Sequence, residues 1–211
     1  LQACGNGASE LMSNISGSIV AMIYNFQLLA LLGEDGVSAY GVMMYVCFFF
    51  VAIFVGYSIG SSPIISYHYG AENRGELQNM FRKSGLLMFL LGIAMSLSAI
   101  ALAKPLAKLF VGYDEALYNL TWQGFRLYSL AFLFTGLNIF ASSLFTALNN
   151  GTVSAAISFM RTLVFQIGAV LVLPALAGVT GLWLATFAAE GCALAASLIF
   201  TLVNRKKYGY F

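Results

Sequence analysis

The chain has 211 residues, 60% of them hydrophobic and 9% charged, with a net charge of +2, whereas an ordinary water-soluble domain carries roughly a quarter charged residues. A mean hydropathy of +0.86 excludes a solvated globular surface, and the few basic residues form no stripe that would grip nucleic acid. Charges are missing from residues 36–71, 84–103, 127–160 and 162–189, and about 20 apolar residues already cross a bilayer core.

Gly, Asn and Pro punctuation with polar clusters divides the chain into six apolar segments. The spacing predicts helices over residues 8–32, 37–66, 83–103, 120–148, 153–173 and 181–203. Helices are expected rather than barrel strands because the apolar runs are long and continuous instead of alternating. The fold class read from this is an all-α membrane protein, a single six-helix transmembrane bundle covering residues 1–211. Leu1 is not an initiator Met and the chain opens almost inside an apolar run, so a piece of a longer protein is expected.

The first segment carries Glu10, Ser13, Asn14, Gly17, Ala21, Tyr24 and Asn25 at helical spacing of three and four, a polar or small stripe. Glu10 reads in two ways. It is a carboxylate exchanging a coupling cation for cargo, or an interfacial acid favoured by the dipole near a helix start. The following loop, with Glu34 and Asp35, is acidic.

In the second segment Tyr40, Tyr45, Phe48, Phe49, Phe50 and Phe54 crowd one half. Ring faces attract organic cations, so Tyr45 and Phe49 are lining candidates; lipid or a neighbouring helix is the plainer destination for the rest. Gly56 and Gly60, four apart, allow close helix approach, and Pro63 permits a kink. His68 is assigned to the loop that follows. That loop holds Arg74, Arg82 and Lys83, and the C-terminal tail holds Arg205, Lys206 and Lys207. Positive charge resists translocation, so with six spans both ends of the chain are expected in the cytoplasm, in a plasma membrane of the bacterial inner-membrane type. Lys104 and Lys108 fall on the other side, against this bias, near Asp114 and Glu115.

Ionisable groups within the spans should turn inward. Besides Glu10 these are Arg126, Arg161 and Glu190. Arg161 and Glu190 lie at comparable depth in the last two segments, which predicts a structural ion pair, with cation binding by Glu190 as the alternative reading. Arg126 is nearer its helix end and is expected to snorkel. Thr135, Asn138, Ser142 and Thr146 share one face of the fourth segment, and Ser154, Ser158, Thr162 and Gln166 one face of the fifth. Either face could line a cavity or bond neighbouring helices. Tyr118, Trp122, Tyr208 and Tyr210 are expected in interfacial belts. Cys4, Cys47 and Cys192 have no ligand spacing, and no phosphate loop, Ser/His/Asp set or metal-ligand cluster occurs, so no enzyme, cofactor or metal is expected.

Gly7-Ala8-Ser9-Glu10-Leu11 with Asn14-Ile15-Ser16 and Tyr24-Asn25, then Gly36 to Val42, then Pro63-Ile64-Ile65-Ser66-Tyr67-His68-Tyr69-Gly70-Ala71, and last Gly181-Leu182-Trp183-Leu184-Ala185 with Glu190 follow one another in order. Together they resemble helices seven, eight and twelve of the multidrug and toxic compound extrusion (MATE) transporters. The resemblance implies one six-helix lobe of a twelve-helix antiporter, partnered by an N-terminal six-helix half and the lipid bilayer. It implies export of organic cations or drug-like amphiphiles against H+ or Na+ by alternating access. Glu10 matches the family's acidic residue of the seventh helix. With Asn14, Tyr24, Asn25, Tyr45, Phe49 and Asn138 it makes up the expected binding set. Gly136 stands where some members carry an acid, which argues against a Na+ site built within this half alone, and Ser62 replaces a frequent Gln. The alternatives are a lipid-linked oligosaccharide flippase of related architecture, which would need several basic residues in its cavity, and a non-transporting membrane scaffold.

Overall fold

In a computed structural model of the protein, the backbone is described for residues 2–210 and side chains for residue 11 and residues 14–210. The described backbone is helical apart from short turns: α1 (Gln2–Gly70), α2 (Arg74–Val111), α3 (Glu115–Tyr128), α4 (Phe132–Ala147), α5 (Gly151–Phe159) and α6 (Gln166–Tyr208). A 3-10 turn, Ser129–Ala131, joins α3 to α4, and a π-helical segment, Met160–Phe165, joins α5 to α6. Four continuous helical stretches, Asn14–Gly70, Arg74–Val111, Glu115–Ala147 and Gly151–Tyr208, are long and apolar enough to cross a membrane. The chain is an integral membrane protein.

Two of these stretches are broken internally. Gly33 takes φ 68°, ψ −154°, and Ala177 and Gly178 leave helical geometry together, Gly178 at φ 55°. Positive φ costs glycine nothing sterically, so these two glycines turn the chain where a residue with a Cβ would be strained. Around the first break Tyr24 and Tyr40 stack face to face, 4.7 Å between centroids, so the two arms of α1 run back beside each other. The Tyr24 hydroxyl donates to the Leu182 carbonyl just past the second break. The turns are thus pinned to one another at one end of the bundle.

The opposite end is closed by the C-terminal residues. Gly209 adopts the left-handed conformation that ends α6. Tyr210 then folds back, fully buried, donating its hydroxyl to the Thr201 carbonyl at 2.8 Å and stacking on Phe81. Gln78 donates to the Gly209 carbonyl at 3.2 Å. Tyr208 and Tyr210 therefore belong to the core rather than to an interfacial belt. The apolar core runs between these ends through Phe54, Met88, Phe132 and Trp183. Trp183 packs against Gly124, where a Cβ would lie 2.8 Å from its ring.

Several boundaries differ from the expectation. Residues 34–36 are helical, His68 lies within α1, and α2 begins at Arg74 instead of 83. Asn73 caps α2, its side chain accepting from the Glu76 amide. Helix then continues through the charged turn beyond the apolar run, because water as well as lipid can flank a helix whose backbone bonds are internal. Similarly, Asp114 caps α3 by accepting from the amides of Ala116 and Leu117, so the fourth segment starts five residues before the predicted 120.

Candidate functional site

Glu190, in α6, leaves 8% of its side chain exposed, and Arg161, in the π-helical segment, 19%. Arg161 Nε donates to both carboxylate oxygens at 3.0 and 3.1 Å, and a terminal guanidinium nitrogen to Oε1 at 2.8 Å. Asn138 of α4 completes the shell. Its amide nitrogen donates to Glu190 Oε2 at 2.7 Å and to the Glu190 carbonyl at 3.0 Å, while its amide oxygen accepts from the Ser197 hydroxyl at 3.1 Å. An Asn side chain has distinct donor and acceptor ends, and here each is used by a group of matching kind. The pair is charge-neutral, and each carboxylate oxygen accepts two hydrogen bonds. The extra residue per turn of a π segment tilts Arg161 off the α5 register, and such segments cluster at functional positions.

Beside this pair lies a ladder of hydroxyls. Asn138, Ser142 and Thr146 recur every four residues, hence on one face of α4. Ser142 bonds the hydroxyls of Ser154 at 3.0 Å and Ser158 at 2.8 Å, and Thr146 that of Ser154 at 2.7 Å. From α1, Ser62 meets Ser143 at 2.8 Å, one hydroxyl donating to the other, and the remaining proton of the pair reaches the Ser58 carbonyl, which lies within 3.1 Å of both. The Ser58 hydroxyl is buried with no partner among the described residues. Ser58, Ser62, Ser142, Ser143, Thr146 and Ser158 border a cavity of about 570 Å³ whose wall is completed by Val51, Val55, Ile59, Pro63, Ile139, Asn14 and Arg161. One wall is hydroxylic and the other aliphatic, and Arg161, already paired, is the only charged residue among the described lining.

The expected binding residues separate. Glu10 lies outside the described side chains, as does Cys4. Asn14 lines the cavity, and Asn138 supports it from behind as the ligand of Glu190. Tyr24 is fully buried and committed to Leu182 and Tyr40. Asn25 donates to the Ala21 carbonyl at 2.9 Å and faces a different cavity, near Glu34 and Ser38. Tyr45 and Phe49 are about three-quarters exposed and point away from the cavity, because their positions alternate with the buried face set by Met43, Cys47 and Phe54. A Cβ on Gly56 or Gly60 would meet no atom within 4 Å, so this small-residue face packs against nothing among the described residues, and α1 stays helical through Pro63. Arg126 is exposed beside Trp122 and Gln123. Thr162 donates to the carbonyl of Ser158, at the edge of the ladder, and Gln166 donates to the Thr186 hydroxyl, away from it.

Sequence reasoning singled out Ser62 only as a replacement for Gln and missed Ser58, Ser143 and Ser197. The last was signalled by its place seven residues, two helical turns, beyond Glu190.

Helical breaks gathered at one end and a polar cavity inside an apolar bundle define a polytopic helical membrane protein. Residues 10–171 match the MatE family, and the chain belongs to it. No curated protein matches it in sequence. Among solved structures it is similar to the Vibrio cholerae MATE transporter VcmN in the bent form, with TM-score 0.85, 20% identity, and coverage of 97% of this chain and 47% of that one. It is also similar to a multidrug resistance MATE family transporter of the MOP superfamily in an outward-facing conformation, with TM-score 0.84, 19% identity, and coverage of 96% and 45%. An inward-facing conformation of such a transporter gives TM-score 0.82 at 20% identity, covering 93% and 45%. The chain spans less than half the length of the structures it matches.

Proposed function

We propose that this chain is the C-terminal six-helix lobe of a twelve-helix antiporter that exports amphiphilic organic cations by alternating access, coupled to H+ or Na+. The breaks at Gly33 and at Ala177–Gly178 would split the four apolar stretches into six spans. The basic turn and tail would then share the cytoplasmic side, and an N-terminal half would supply the facing lobe.

The observation that carries the reading is the half-hydroxylic, half-aliphatic cavity. Pockets for drug-sized molecules are mostly apolar with a few placed polar groups, and this one suits an amphiphile. Glu190 is neutralised by Arg161 and is not free to hold cargo. The coupling carboxylate is therefore assigned to Glu10, one helical turn before Asn14 in sequence. A ligand shifts a two-state protein only through unequal affinity for the two states, so cation and cargo must compete for that carboxylate or select opposite-facing states. A flippase for pyrophosphate-linked cargo would want several free basic groups, and the described lining offers only the paired Arg161.

Glu10→Gln in the full-length protein should abolish drug efflux from cells while membrane abundance stays at the parental level. Undiminished efflux would remove Glu10 from the mechanism.

A further inference from the structure

The end of the bundle closed by Tyr210 carries Arg74, Arg82, Lys83, Arg205, Lys206 and Lys207 against Glu72 and Glu76. Within this basic face is a separate cavity of about 400 Å³, bordered by His68 in the last turn of α1, Glu72 after it, Arg74 opening α2, and Lys207 and Tyr208 closing α6. We infer that this cavity is a binding site for the phosphodiester headgroup of an anionic membrane lipid.

Four observations converge. Neither Arg74 nor Lys207 is paired with a carboxylate among the described residues, so two cations face one concavity with Glu72 as its single acid. The His68 ring borders the cavity, and its Nδ1 is buried with no hydrogen-bond partner among the described residues. The site is also preformed. The Arg74 stem lies against Gly209, its Cδ 3.3 Å from where a Cβ would stand, and Gly209 is held by Gln78. Lys207 is steered over the Tyr208 ring, 5.1 Å from its centroid, and Tyr208 packs in turn on Tyr69. Finally, the depth is right. At about 1.5 Å per residue the arm of α1 over residues 34–70 is roughly 55 Å long, against a hydrocarbon core of about 30 Å, which leaves its last turns at headgroup level. The N-terminus of α2 adds the positive end of its dipole.

The test is lipid titration of the full-length protein, purified in neutral detergent, read by native mass spectrometry. Phosphatidylglycerol should bind as a discrete adduct and phosphatidylcholine should not. A direct surface ion pair is worth up to about 1 kcal/mol, about 5-fold, so Arg74→Gln with Lys207→Gln should weaken phosphatidylglycerol binding up to about 30-fold. Lys207→Gln alone, at an exposed position that folding does not need, should weaken it about 5-fold. The control pair Arg82→Gln with Lys83→Gln, on the same face but outside the cavity, should retain the parental affinity. Equal binding of the two lipids, or equal weakening by the control pair, would overturn the site. Full displacement of the lipid by millimolar inorganic phosphate would overturn the assignment to a membrane lipid.

Discussion

Replacing Arg161 by Met should be among the most damaging single changes in the lobe. Glu190 would lose its three bonds from the guanidinium and keep only the 2.7 Å contact from Asn138, with its side chain 8% exposed. Breaking a buried pair by removing one partner costs about 3–5 kcal/mol. The surviving Asn138 bond and the open cavity beside Arg161 argue for the lower end, about 3 kcal/mol, or on the order of 6–12 °C in melting midpoint. Replacing both partners, Arg161→Met with Glu190→Leu, removes both charges together. Asn138 keeps the backbone carbonyl of residue 190 as acceptor, so the double variant should melt within about 1 kcal/mol of the parent. The assay is thermal unfolding in detergent of the two single variants and the double. If the double variant loses as much as the singles summed, the two side chains act independently and the neutral pair is not what holds α4, the π segment and α6 together.

Gly92→Ala should destabilise by about 1–3 kcal/mol in the same melt, because the new methyl would sit 2.9 Å from the Leu133 carbonyl oxygen and 3.0 Å from that of Phe132, both backbone atoms. Ser58→Ala removes a buried hydroxyl without a partner among the described residues and should be neutral or stabilising by about 1 kcal/mol; a clear loss of stability would mean that the hydroxyl is satisfied. Burial, and secondarily the neighbouring Tyr208 phenol, push the Tyr210 hydroxyl well above its ordinary value. The folded state therefore holds that proton more tightly than the unfolded one. The resulting stability is intact below about pH 10 and falls as pH rises beyond it, so Tyr210→Phe should flatten the alkaline decline of the melting midpoint and leave the neutral value lower by about 1 kcal/mol for the lost bond to Thr201.

The membrane class was legible because lipid imposes one demand along every span, and charge-free runs report it directly. Arg161 and Glu190 were legible as partners because two isolated charges at equal depth have few other ways to avoid an uncompensated burial. Local spacing could not tell which face of α1 turns inward. Tyr45 and Phe49 are lining candidates by their chemistry; they lie on the exposed face of α1, outside the cavity bordered by Ser58 and Ser62, while the turn at Gly33 brings Tyr40 onto Tyr24. The tyrosines of the tail were misread for a related reason. An aromatic near a helix end ordinarily marks an interface, and only the left-handed Gly209 sends Tyr210 back beneath Phe81. Ser58, Ser62 and Ser143 gave no signal that they meet, because contact between α1 and α4 is set by tertiary packing across some eighty residues of chain.

The account is tested most directly by reconstituting the full-length protein in liposomes and following a fluorescent organic cation while a pH or Na+ gradient is imposed in turn. Flux that rises with one gradient, reverses when that gradient is reversed and disappears with Glu10→Gln is the predicted result. Equal flux with and without either gradient, or none under both, would contradict an ion-coupled exporter.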